Sequence, residues 1–179
     1  RTKSSAASDV YKRQMLGAEY PVVRVMPNTP SLLGQGMSGL YADSSVNEDD
    51  RNYVDGVMSA VGKTLWVTEE DGINGVIAAA GSSPAYFFLF LQAMQEESMR
   101  MGFSEDDARL LVQQAMLGAA QMVCENPDLM LSELRAQVTS KGGTTAAAIQ
   151  SFIDSDISGI VSKAMQSAVA RADEMAKSL

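Results

Sequence analysis

Three short segments carry residue types that can hold an anion or border a cofactor. The first is Arg24-Val25-Met26-Pro27-Asn28-Thr29-Pro30. An apolar strand that ends in Asn and Thr between two prolines fixes polar groups at the carboxyl edge of a sheet, where open α/β folds bind cofactors. The same residues also make an ordinary strand-ending turn. The second is Gly81-Ser82-Ser83-Pro84-Ala85-Tyr86, whose hydroxyls either cap a helix or present a helix N-terminus to an anion. The third is Ser140-Lys141-Gly142-Gly143-Thr144-Thr145. Paired glycines let the backbone approach a ligand closely, and two threonines put hydroxyls and free N–H groups at a helix mouth, where the dipole favours negative charge. That suits a carboxylate or phosphate, although a Gly-rich turn capped by Thr has the same sequence. Walker spacing is absent, so a nucleotide P-loop is not supported.

The rest of the composition narrows the chemistry. The 179 residues contain no His and one Cys. That removes Ser-His-Asp and Cys-His mechanisms, most transition-metal sites, an internal disulfide and a cysteine-built zinc site. No metal is therefore expected. Cys124 lies in an apolar helical stretch and is expected to be a buried, inert thiol. A net charge of −8 argues against nucleic-acid binding, which needs clustered Lys and Arg. No apolar run approaches the roughly 20 residues that span a bilayer, and no secretory signal is visible, so no membrane is expected and a reducing cytoplasm is the expected location.

The elements that must position these segments follow from periodicity. Residues 1–14 are polar, without helical or strand period, abut Met15, and read as a non-native leader outside the fold. Pro21–Met26 and Met37–Ala42 suit strands. Asn47 with Asp50 three residues later opens a helix that Gly62 ends, and Thr64–Thr68 forms a further strand. Asp71–Ala80 is a short helical run broken by Gly81-Ser82-Ser83. Pro84 then begins a helix, Ala85–Met101, that is apolar on all faces in its first half and is expected to be buried on every side. Ser104 with Asp107 caps a helix running to about Glu125, and helices over about 129–138, 144–153 and 157–177 follow. The fold class is thus mixed α/β then all-α. Residues 15–70 read as the end of an α/β domain, and residues 71–179 as a helical domain. The surplus apolar surface and twelve Met suit a helical homodimer, possible precursor of a higher oligomer.

Taken together, in this order and spacing, the MPNTP, GSSPAY and SKGGTT segments resemble those of the pyrroline-5-carboxylate reductases, and the resemblance covers Val22 to Lys177. It implies a truncated Rossmann-like sheet followed by a helical dimerisation domain. It further implies reduction of 1-pyrroline-5-carboxylate to L-proline by hydride from NADPH or NADH. Carried over, it puts the substrate carboxylate on Ser140, Gly142, Gly143, Thr144 and Thr145, with the Thr145 hydroxyl nearest the imine and catalytic. Met26, Pro27, Asn28 and Thr29 meet the nicotinamide half of the cofactor, and Ser82 and Ser83 line the substrate side. Lys141 stands where many members have Pro, exchanging a rigid φ for a charge. No G-x-G-x-x-G fingerprint following a strand is read in the chain, so the pyrophosphate site is expected outside it. A hydroxy-acid dehydrogenase of related plan, using Lys141, Lys163 or Lys177, and a non-enzymatic dimerisation fragment are the alternatives.

Overall fold

The β-branched run that follows Pro21 becomes an edge strand in the computed structural model, which describes residues 20–177; the leader at 1–14 lies outside the described residues. Strand β1 is Val23–Met26, and Pro27 ends it. A 3-10 turn, Thr29–Leu33, leads into β2, Gly36–Ala42. The two strands pair antiparallel, Val23 opposite Ala42 and Met26 opposite Gly39. Helix α1, Glu48–Ser59, then carries the chain over to β3, Gly62–Trp66, which pairs parallel with β2. A parallel pair requires such a crossover. Helix α1 starts as its sequence dictates: the Asn47 side chain accepts the Asp50 N–H at 2.8 Å, and Glu48, Asp49 and Asp50 fill the first turn. Its end differs from expectation. The helix closes at Ser59, and Gly62 is the first residue of β3, where a Cβ would strike the Gly36 carbonyl oxygen. The Asp55 carboxylate then ties α1 to β3 by accepting Thr64 Oγ1 at 2.8 Å and Trp66 Nε1 at 3.0 Å.

After the sheet the chain is helical. Helix α2, Gly72–Val76, runs into a π-helical turn at Ile77–Gly81 and then into α3, Ser83–Arg100. Gly81-Ser82-Ser83 therefore does not break the helical path; it shifts the bonding register, with Ser82 N–H reaching the Ile77 carbonyl at 2.8 Å. Ile73 and Val76 of α2 are buried with Leu40 and Ala42 of β2. Arg24 of β1, 5% exposed, donates to Glu70 at 2.9 Å and so brings a charge into this core with its counter-ion. Asn74 of α2 donates to Asp173 at 2.6 Å, on the last helix.

Helices α4 (Glu105–Glu125), α5 (Leu131–Gln137), α6 (Thr144–Asp154) and α7 (Ile157–Lys177) complete the order. Ser104 caps α4 through the Asp107 N–H, as its sequence implies. The chain divides into two compact units. One ends at Tyr86 and takes in the chain again from Ser162; the other is Phe87–Val161.

The second unit has a small core of its own. Ala108, Val112 and Leu134 are buried, and the Phe90 and Phe152 rings lie 5.8 Å apart. The expectation that the apolar start of α3 is buried on all sides is not met within one chain: Phe87, Phe88 and Leu89 are 59%, 63% and 68% exposed. Cys124, expected to be buried, is exposed as well. The helical path also corrects the membrane argument. Gly72–Arg100 is 29 residues long and holds an 18-residue window of mean hydropathy 1.4, enough by length and composition to cross a bilayer. The Gly-Ser-Ser segment looks like a helix break in the sequence because a register shift leaves no signal in the hydrophobic pattern.

Candidate functional site

The end of β1 and the start of α3 meet through one side chain. Asn28 sits just past the strand in extended conformation, one residue before the 3-10 turn, and does not cap that turn. Its Oδ1 accepts the Met37 N–H at 2.9 Å, and its Nδ2 donates to the Ala80 carbonyl at 3.0 Å. Asn28 therefore holds together the exit of β1, the entry of β2 and the π-helical turn. Two of the three chemistry-bearing segments are brought together in this way, 52 residues apart in sequence.

The reason the Ala80 carbonyl accepts a side chain lies four residues on. In an α-helix it would take the N–H of residue 84, and residue 84 is Pro, which has none. Asn28 supplies one donor, and the Ser83 hydroxyl, at 3.3 Å, supplies another. The missing donor was visible in the sequence; which residue replaces it was not. Gly81 adds a close approach, since a Cβ there would lie 3.1 Å from the Met26 methyl. Met26, Asn28, Ser82 and Ser83 are half-buried around this junction, while Pro27 and Thr29 are exposed.

The third segment lies in the second unit. Gly143 N–H donates to the Ser140 carbonyl at 3.0 Å, closing a turn in which Gly142 has φ +74°, a left-handed conformation that suits Gly. A Cβ on Gly143 would lie 2.5 Å from Ser140 Oγ, a hydroxyl that can turn aside, so the left-handed Gly142 is the glycine this turn requires. Gly143 is the N-cap of α6, and among the described residues no side-chain cap occupies the first N–H groups of this helix. At α1 and α4, Asn47 and Ser104 occupy the equivalent groups. The α6 N-terminus thus presents free amides, with Ser140, Thr144 and Thr145 exposed beside them. Such an end is prepared for a carboxylate or phosphate. Lys141 is exposed in the same turn.

The literal spacing G-x-G-x-x-G does occur, at Gly34, Gly36 and Gly39. It is not a pyrophosphate site. It enters β2 instead of opening a helix, and a Cβ on Gly36 or Gly39 would strike Ser31 or Val76, so these glycines serve packing. Among the described residues no group of His, Cys, Asp and Glu is arranged to hold a metal ion.

Comparison with known proteins bears on the same segments. The family model described as pyrroline-5-carboxylate reductase dimerisation matches residues 70–175. A pyrroline-5-carboxylate reductase from Vibrio alginolyticus is 61% identical over 163 residues, spanning 91% of this chain and 60% of that protein. The solved structure of a pyrroline-5-carboxylate reductase from Coxiella burnetii superposes with a TM-score of 0.90 at 39% identity, covering 95% of this chain and 63% of the other. That of a Plasmodium falciparum pyrroline carboxylate reductase with NADP bound gives 0.86 at 27% identity, covering 96% and 64%. The chain therefore spans about three-fifths of the length of the relatives it matches.

Proposed function

The chain belongs to the pyrroline-5-carboxylate reductase family, and on that premise we propose that it serves the NAD(P)H-dependent reduction of 1-pyrroline-5-carboxylate to L-proline. The observation that carries the proposal is the uncapped N-terminus of α6 behind the Ser140–Gly143 turn. Its free amides and the Thr144 and Thr145 hydroxyls have the number and kind of donors that a carboxylate accepts. With the carboxylate held there, the Thr145 hydroxyl is the group assigned to the ring nitrogen, where it hydrogen-bonds the imine and favours its protonated, electrophilic form. An iminium needs positioning and exclusion of water more than it needs a strong base, which agrees with a chain that has no His.

Met26 to Thr29, at the carboxyl end of β1, form the edge that would meet the nicotinamide half of the cofactor, which supplies hydride when bound. These residues suit that half alone, since among the described residues the G-x-G-x-x-G spacing, at Gly34 to Gly39, enters a strand and does not open a helix. Residues 15–70 are assigned to the dinucleotide-binding domain and residues 71–179 to the helical one. The last strand ends at Trp66, and the dimerisation match begins at residue 70. The exposed apolar start of α3 is assigned to contact with a second copy of the chain, in preference to a bilayer. A reducing cytoplasm suits the single exposed thiol of Cys124.

The test is an assay of NADPH and NADH oxidation with 1-pyrroline-5-carboxylate. It uses this chain and a fusion of it to the part of the Vibrio alginolyticus protein that it does not cover. Substrate-dependent oxidation is expected of the fusion, with little or none from this chain alone, in which no pyrophosphate site is read. Absence of turnover by both, or turnover of a 2-hydroxy acid instead, overturns the proposal.

A further inference from the structure

Pro84 leaves the Ala80 carbonyl without its helical donor, and the amide that takes the vacancy comes from the end of β1. We infer that Asn28 is a positioning residue: its amide substitutes for the N–H that Pro84 lacks and locks the cofactor edge, Met26 to Thr29, to the turn that carries Ser82 and Ser83. The functional half of this inference rests on the reductase reading above; the mechanical half does not.

Three observations support the lock. Both polar ends of the Asn28 amide are engaged, Oδ1 by Met37 N–H at 2.9 Å and Nδ2 by the Ala80 carbonyl at 3.0 Å. The Ala80 carbonyl takes its two donors from side chains, Asn28 and Ser83, in place of the helix backbone. Gly81 lies against the Met26 side chain, so the two segments also touch beside the hydrogen bond. An ionised Asp at position 28 would keep the bond from Met37 but oppose the Ala80 carbonyl with a second acceptor. On this inference the N–H of an Ala at position 84, with the turn returned to α-helical register, takes that carbonyl and makes the donor at position 28 redundant. Asn28 and Pro84 are thus a compensating pair although they are 56 residues apart.

The experiment is a double-mutant cycle on the full 179-residue chain with Asn28→Asp, Pro84→Ala and the pair, read by amide hydrogen exchange over residues 77–86. Asn28→Asp is expected to accelerate exchange there by about 5- to 10-fold, the scale of one lost hydrogen bond, and by less than about 2-fold when Pro84→Ala is present. Equal acceleration in both backgrounds overturns the lock. The same variants are then compared in whichever form of the enzyme passes the assay above. Asn28→Asp is expected to raise KM for NADPH more than it lowers kcat, with Pro84→Ala again reducing the effect. Unchanged KM alongside coupled exchange overturns the functional half and leaves the reductase reading standing. Failure of wild-type turnover overturns that reading while the exchange cycle still decides the lock.

Discussion

Thr145 is the residue on which the proposed chemistry is most exposed to test. Its hydroxyl is in the first turn of α6, exposed, at a helix end with no side-chain cap. If it donates to the ring nitrogen, Thr145→Ala should lower kcat by on the order of 10²-fold, the low end for a lost proton donor, and leave KM for NADPH unchanged. Thr145→Ser keeps the hydroxyl and should retain most activity; steady-state kinetics of the two variants decide the point. At this scale the sequence was informative where the interaction is local. Asn47 with Asp50 and Ser104 with Asp107 were readable as caps because donor and acceptor are three residues apart. The work of the Asn28 amide was not readable, because its acceptor is 52 residues away and only folding brings it near.

Elements were legible where hydrophobic period and stop signals agree, and less so where two helical registers compete. The strands at 23–26 and 36–42 and the helices from 105 and 157 lie where the pattern puts them. The π-helical turn at 77–81 was not legible, because one inserted residue leaves the apolar spacing almost unchanged while altering every bond partner. Glycine pairing between elements is similarly hidden. Gly39 in β2 is buried against α2, and a Cβ there would lie 2.7 Å from a Val76 methyl. Gly39→Ala should therefore overpack this contact and cost about 1–3 kcal/mol, measured as a lower urea midpoint with unchanged slope. A midpoint equal to wild type would mean that β2 and α2 give way without cost.

For the molecule as a whole, the imbalance is between a sheet unit with a real core and a helical unit with little. The sequence signals more apolar surface on α3 than one chain can cover and gives it to a homodimer; among the described residues Phe87, Phe88 and Leu89 lie open. If a second copy covers it, a charge at Leu89, 68% exposed, should be tolerated by the fold and not by the dimer. Leu89→Glu is expected to elute as a monomer, with light scattering giving half the wild-type mass and a melting temperature that loses its dependence on protein concentration. An unaltered mass would remove Leu89 from the interface.

The bond between Asn74 and Asp173 has a further consequence, for chemical ageing. Asn74 is followed by Gly75, the dipeptide most prone to deamidation, since a glycine nitrogen can swing freely onto the side-chain carbonyl. Here the helical backbone of α2 holds that nitrogen away, and Asp173 holds the amide. Loss of ammonia at this position would replace an amide–carboxylate bond by two facing carboxylates, so damage that starts in a transiently opened chain would oppose its own re-closing. Asn74 thus acts as a chemical clock for how often the last helix comes away.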